Sequence, residues 1–392
     1  MTDRRMPYLT SKLQGFGTTI FAEMSALAVA TGAVNLGQGF PDTDGPDVVK
    51  QAAIDAVREG RGNQYPPGPG VPELRRAVAE HQRRFYGIEL DPDREVLVVA
   101  GATEGIAAAL LSLVELGDEV VAFEPFYDSY AACIAMAGGV RKPVTLRAPD
   151  YALDVDALRR AISARTRLIL LNTPHNPTGR VFTRAELGMI AELAIEHDLL
   201  VVADEVYEHL VFDGEHVPIS TLPGMRERTV TIGSAGKTFN MTGWKTGWVT
   251  GTPELVTAVR TAKQFLTYVG NGPFQYAAAV GLGLGDDYFT AYRDDLLVKR
   301  DRLCAGLAEA GFGVIRPQGT FFITADITPL AGRDADGLAF CRSLPERCGV
   351  VAVPCQVFYD DLDEGRRLVR FAFCKRLDVL DEAVARLKGL RP

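Results

Sequence analysis

Lys237 and Lys245 stand eight positions apart in one glycine-rich segment, Gly233-Ser234-Ala-Gly236-Lys237-Thr-Phe-Asn240, then Gly243-Trp-Lys245-Thr-Gly247. The chain holds only nine lysines against 33 arginines, so the pairing asks for a chemical reason. A lysine that has lost its proton attacks carbonyl carbon, and a crowded site with a second cation lowers its pKa. Upstream, Asp204-Glu205-Val206-Tyr207 offers a carboxylate and a phenol, and Asn172-Thr-Pro-His-Asn176-Pro177-Thr-Gly179 offers an amide. Taken singly, each segment reads as scaffold: a loop with two solvated lysines, a helix N-cap, a Pro/Gly turn. Together they supply an imine-forming amine, an acid to keep a ring nitrogen protonated, and a phenol and an amide for a ring oxygen. A hydroxyl and a cation remain for an anionic group. A pyridine aldehyde phosphate needs that set.

The elements that position these groups are legible as apolar runs. Glu95–Ala100 (EVLVVA) reads as a buried strand, followed by Gly101–Thr103 and an Ala/Leu-rich helix to about Leu116. Glu119–Phe123, Arg167–Leu171, Leu199–Ala203 and Val230–Ile232 read as further strands. Continuous apolar strands alternating with helices predict a mostly parallel sheet covered on both faces. Ligands of such sheets bind beyond the carboxyl ends of the strands, where the three polar segments lie. After Pro273 a long helical stretch is expected up to Gly313. The remainder reads as α+β, with strands near Phe321–Ala325, Val350–Val353 and Val369–Phe373 and a closing helix.

Composition narrows the classes. The chain has 392 residues, 47% of them apolar and 23% charged, the balance of an ordinary globular protein. A net charge of −8 argues against nucleic acid as a partner. The N-terminal MTDRRMPYLTSKLQGFG has no apolar core, so no signal peptide is expected. No run approaches the roughly 20 apolar residues of a membrane span, so no membrane partner is expected either. The six cysteines form no C-x-x-C pair and show no metal-ligand spacing. They read as reduced thiols of a cytoplasmic enzyme, with no metal.

Asp204-x-x-Tyr207, followed by Ser234-x-x-Lys237 with its lysine 33 positions after the aspartate, resembles class I/II aminotransferases of pyridoxal-phosphate fold type I. Asn-Pro-Thr-Gly at 176–179 and Arg370 in Val-Arg-Phe-Ala-Phe match the same family, and the likeness runs from Asn35-Leu-Gly-Gln-Gly-Phe-Pro-Asp42 to the C-terminus. The resemblance implies an α/β fold with a large cofactor-binding domain at 41–290 and a smaller discontinuous α+β domain from 1–40 and 291–392. It implies pyridoxal 5′-phosphate joined to Lys237, which also shuttles the proton. Asp204 then partners the ring nitrogen, Tyr207 and Asn176 the 3′-oxygen, and Tyr127 stacks on the ring. Ala102 and Thr103 give backbone N–H groups to the phosphate, with Ser234 and Lys245, and with Tyr65 reaching over from a second copy in a homodimer with shared active sites. Arg370 clamps the substrate α-carboxylate through its planar fork, helped by the Gly37 backbone and the Asn176 amide.

Within the family, Leu-Gly-Gln-Gly-Phe-Pro-Asp, Glu-Pro-Phe-Tyr127-Asp-Ser-Tyr and Gly-Ser-Ala-Gly-Lys-Thr-Phe-Asn-Met-Thr-Gly-Trp-Lys are similar to the kynurenine/glutamine/methionine branch, and most of all to actinobacterial N-succinyldiaminopimelate aminotransferases. Where kynurenine-type enzymes carry Phe-His before Cys-Pro-Thr-Gln, this chain has Gly270-Asn271-Gly272-Pro273-Phe274-Gln275. A thinner aromatic wall favours a long polar substrate. The alternative is a kynurenine/glutamine/methionine-type enzyme with cysteine-conjugate β-lyase side activity, which shares every cofactor residue.

Overall fold

The computed structural model describes residues 8–390. The first seven residues, part of the segment read as no signal peptide, lie outside the described residues. The short β1 (Val34–Asn35) precedes the strands of the main sheet: β2 (Val96–Val99), β3 (Glu119–Glu124), β4 (Val140–Thr145), β5 (Thr166–Asn172), β6 (Leu200–Asp204), β7 (Thr229–Ser234) and β8 (Gly247–Thr250). Their spatial order is β2-β8-β7-β6-β5-β3-β4. All run parallel except β8, which is antiparallel to both its neighbours. Val201, Val202 and Ala203 of β6 and Ile169, Leu170 and Leu171 of β5 are buried, as a sheet covered on two faces requires.

The chain then forms β9 (Gly313–Ile315), β10 (Phe322–Asp326), β11 (Val350–Val351), β12 (Val353–Pro354) and β13 (Leu368–Ala372). Strands β12-β13-β10-β9 make an antiparallel sheet, while β1 pairs in parallel with β11. Met24, Ala28 and Leu36, near the start of the chain, share a core with Leu303, Phe340, Phe371 and Leu380.

Several elements differ from the sequence expectation, each for a local reason. The helical stretch after Pro273 is two helices, Gly272–Leu282 and Asp286–Glu309. Gly283 caps the first and Gly285 the second, where weak helix propensity permits the break. The apolar run at 350–353 divides between two sheets at Ala352. Strand β4 has the sequence VRKPVT and is largely solvent-facing at the sheet edge, so it carries no apolar signature. Strand β8 is hidden in the glycine-rich lysine segment. Among the described residues no helix is long and apolar enough to cross a membrane, and the six cysteines are free thiols.

Candidate active site

A cavity of about 880 Å³ opens at the carboxyl ends of the parallel strands. Ala102, Thr103, Tyr127, Asn176, Asp204, Tyr207, Ser234, Lys237, Lys245 and Arg370 all line it. These residues come from six separate segments, and the sheet brings them together. Two of the expected residues stand apart. Tyr65 is 80% exposed and meets Tyr268 edge-on at 5.5 Å, outside the cavity of its own chain. Gly37 does not line the cavity either; its carbonyl accepts from Arg370 Nη2 at 3.0 Å.

Lys237 sits in the single helical turn Ala235–Thr238 after β7. Its Nζ donates to the Gly39 carbonyl at 3.2 Å and lies 5.1 Å from the Phe321 ring centre. Burial is the main reason its pKa falls to about 8; nearby Arg370 and Lys245 push the same way, Lys245 least of the named causes. The sequence pointed to the second lysine, yet desolvation does most of the lowering. Asp204 ends β6, with its carboxylate accepting from the Tyr130 hydroxyl at 2.6 Å and from the Val206 amide at 3.3 Å. Burial raises it to about 6 against those two hydrogen bonds. It therefore does not cap a helix; it is a desolvated acid aimed at the cavity.

Arg370 on β13 is 1% exposed. It donates from Nη1 to Asn176 Oδ1 at 2.9 Å, its guanidinium lies 4.0 Å from the centre of the Phe322 ring, and its Nε has no partner. Among the described residues it forms no ion pair. An unpaired buried cation costs several kcal/mol, so the arrangement is stable chiefly as a receptor for an anion. Asn176 is itself held by Asn172, whose Oδ1 accepts from the Asn176 amide at 2.7 Å and whose Nδ2 donates to the Asp204 carbonyl at 2.8 Å.

At the other end, Ala102 and Thr103 occupy the first turn of the helix Gly101–Leu113, where backbone N–H groups have no helical acceptor. Lys245 has a left-handed backbone (φ 52°) and brings its Nζ so near Gly101 that a Cβ there would lie 3.2 Å from it. Gly101 also has φ 76°, so only glycine suits both the turn and the approach. Ser234 accepts from the Gly236 amide at 3.2 Å. Half-buried Tyr127 lies between this corner and the acid, hydrogen-bonded to Thr103. A helix N-terminus, a hydroxyl and an ammonium together form an anion cradle.

Sequence reasoning missed Tyr130, Asn172 and the Phe322 platform. Tyr130 is the second tyrosine of Phe-Tyr127-Asp-Ser-Tyr130, and Asn172 stands four positions before the Asn-Pro-Thr-Gly of 176–179. The only available signal was their place inside those motifs. Gly270–Gln275 does not line this chain's cavity; Asn271 Nδ2 donates to the Lys245 carbonyl and Gly272 abuts Gly62.

Lys237, the buried acid Asp204, an anion cradle and a second anion receptor lie together at the carboxyl ends of one parallel sheet, in the fold of the fold type I aminotransferases. The chain belongs to the class I and II aminotransferase family, whose model matches residues 31–387. The structure of N-succinyldiaminopimelate aminotransferase from Mycobacterium tuberculosis superposes with a TM-score of 0.95 at 55% identity, over 97% of this chain and 100% of that one. Methionine aminotransferase of Escherichia coli is 40% identical over 97% of this chain and 98% of its own. Kynurenine–oxoglutarate transaminase 3 of Mus musculus is 38% identical over 95% and 88%. Enzymes of this family use pyridoxal 5′-phosphate, and the donor set fits it: the lowered Lys237, the raised Asp204 and the anion cradle at the start of the helix Gly101–Leu113 each call for a partner that the protein itself does not provide.

Proposed function

We propose that this aminotransferase moves an amino group between glutamate and N-succinyl-2-amino-6-ketopimelate, as an N-succinyl-LL-2,6-diaminopimelate:2-oxoglutarate aminotransferase of lysine and diaminopimelate biosynthesis. The observation that carries the reading is a pair of arginines on one cavity. Arg370 is buried, whereas Arg342 is exposed and held by Glu23. A pimelate chain bearing a succinyl group has three carboxylates, so Arg370 alone does not suffice. Arg342 supplies the second cation. The likeness to the M. tuberculosis enzyme along the whole chain supports the same substrate.

Lys237 would hold the cofactor through Nζ and is the group placed to move the proton at the substrate Cα; a pKa of about 8 keeps part of it basic near neutrality. Bound there, pyridoxal phosphate supplies the carbonyl carbon that takes up the amino group and a ring that accepts electrons. Asp204 holds the ring nitrogen, and Tyr207 and Asn176 the 3′-oxygen. Tyr127 stacks on the ring, while Ala102, Thr103, Ser234 and Lys245 hold the phosphate. Arg370, fixed by Gly37 and Asn176, binds the α-carboxylate.

Tyr65 completes the phosphate cup of a neighbouring copy in a homodimer. Its exposure beside half-exposed Tyr268 and exposed Phe265 supports that reading, as does the contact between Gly62 and Gly272 on the same rim. The Gly270–Gln275 segment then faces the partner's substrate. We assign 41–290 to the large domain, 1–40 and 291–392 to the small one, and the enzyme to the cytoplasm.

One second reading is a kynurenine/glutamine/methionine-type enzyme with cysteine-conjugate β-lyase side activity; the similarity to a methionine aminotransferase and a kynurenine–oxoglutarate transaminase supports its first part. The deciding measurement is kcat/KM with glutamate as donor for the succinylated keto acid, set against kcat/KM for kynurenine. A kynurenine value ten-fold the higher, about 1.4 kcal/mol in transition-state binding, overturns the proposed substrate and leaves the aminotransferase class standing.

A further inference from the structure

Three of the chain's five histidines meet two buried glutamates in one place. His81 lies on the helix Pro72–Tyr86, Glu205, Glu208 and His209 on the turn after β6, and His216 just beyond. None of the five lines the cavity. His81 Nε2 is 2.7 Å from His209 Nε2, and the ligand atoms of His81, Glu208 and His209 all lie within 4.8 Å of one another. His81 is 2% exposed and Glu208 6%. Phe289 packs 4.3 Å from the His209 ring and Phe85 4.7 Å, so the walls are apolar.

Among the described residues neither Glu205 nor Glu208 is ion-paired to a lysine or arginine. Nearby Arg84 is bound to Asp286 and to the Leu284 carbonyl. Glu205 meets His216 at 3.1 Å, but its Oε1 and the Nδ1 of His216 have no partner.

We propose that His81, His209 and Glu208 bind one divalent zinc-type ion, with solvent in the fourth position. Two imidazoles and a carboxylate suit zinc-like borderline ions rather than calcium or magnesium, which take oxygen ligands. Tetrahedral coordination at ordinary Zn–N distances sets the two nitrogens about 3.3 Å apart, so the rings separate by about 0.6 Å from their present contact. The supporting shell is in place. Gln82 Nε2 lies 3.4 Å from His81 Nδ1 and donates to Glu208 Oε2 at 3.5 Å, so it touches two of the three ligands. Tyr86 donates to Glu208. Glu205, close behind, lowers the net charge. The ion would pin the back of the turn whose front presents Asp204 and Tyr207 to the cavity. The sequence concealed the site because its ligands are 127 positions apart.

The test uses holoenzyme washed with a chelator and desalted with its cofactor retained. Calorimetric titration with Zn²⁺ should show one site per chain, and Co²⁺ should give visible ligand-field bands without thiolate charge transfer. His81→Ala and Glu208→Gln should each weaken Zn²⁺ binding by about 100-fold, while the cofactor's own absorption shows that the variants are folded. His216→Ala, which removes no ligand, should weaken it less than about ten-fold. No Zn²⁺ site in the parent enzyme, thiolate bands with Co²⁺, or unchanged affinity in either ligand variant would overturn the proposal.

Discussion

Arg370 donates from Nη1 to Asn176 Oδ1 at 2.9 Å, joining β13 to the loop after β5. The bond spans 194 positions of sequence and links the cation of the inner anion site to the amide expected at the cofactor's 3′-oxygen. Because Asn176 Oδ1 is occupied by Arg370, its amide nitrogen is left to donate elsewhere. One asparagine can thus register substrate and cofactor against each other. Asn172 then anchors the pair to the Asp204 carbonyl.

Lys237→Ala is expected to abolish transamination and the yellow, borohydride-reducible absorption of the purified enzyme. The substitution removes the cavity lysine whose pKa burial lowers to about 8. Absorption spectra before and after borohydride are the measurement. Colour that persists and is reducible would move the covalent link to Lys245.

Tyr130→Phe is expected to shift the pH dependence of cofactor binding. The Asp204 pKa lies near 6, raised by burial and held down by the Tyr130 hydrogen bond. Its carboxylate form, the one that can partner a protonated ring nitrogen, dominates above about 6 and is lost as pH falls through that value. Removing the hydroxyl raises the pKa further, so the loss of affinity should begin at higher pH. Cofactor Kd values measured between about pH 5 and about pH 8 decide it; superimposable profiles for parent and variant would dismiss Tyr130 as a tuning group.

Much of this arrangement was legible in the sequence because parallel strands are apolar throughout and place their polar sequels at one edge. Asp204, Asn176 and Lys237 each follow such a run. The residues that orient them were not legible. Tyr130 is fixed by helix packing rather than by strand order. Phe322 meets Arg370 because β10 pairs with β13, in the register Phe322 to Ala372, a pairing with no local signal. Edge strand β4 lacks the buried apolar signature, and β8, though buried, is only four residues long and runs straight on from the glycine-rich lysine segment, so a sequence pattern sees neither. The Arg342–Glu23 pair joins residues 319 positions apart, beyond any periodicity.

Arg370→Lys is expected to raise KM for both the amino-acid and keto-acid substrates by at least about ten-fold, leaving the cofactor spectrum intact. An ammonium cannot make two parallel bonds to a carboxylate, nor keep both the Asn176 and Gly37 contacts in the same plane. Steady-state kinetics with each substrate varied in turn provide the check. Unchanged KM for every substrate would remove Arg370 from the α-carboxylate site.

Arg342 carries the remaining specificity prediction. It makes a two-pronged contact with Glu23, at 2.6 and 3.2 Å, on the wall of the cavity. Both side chains are substantially exposed, 53% and 38%, and such a pair contributes only about 0–1 kcal/mol. A substrate carboxylate can therefore displace Glu23 at small cost, exchanging one ion pair for another. The substrate carboxylate takes the place of Glu23 on the same guanidinium, so what Arg342 contributes is a second anchor for the bound substrate. Arg342→Ala should accordingly raise KM for the succinylated keto acid by about ten-fold or more with kcat little altered, because the contact is far from the reacting carbon. Glu23→Gln should act in the opposite sense, lowering KM by removing the competing carboxylate. Kinetics of the two single variants and the double variant separate the effects. A KM unmoved by Arg342→Ala, or a Glu23→Gln variant that binds the substrate more weakly, would assign the distal carboxylates to another part of the pocket.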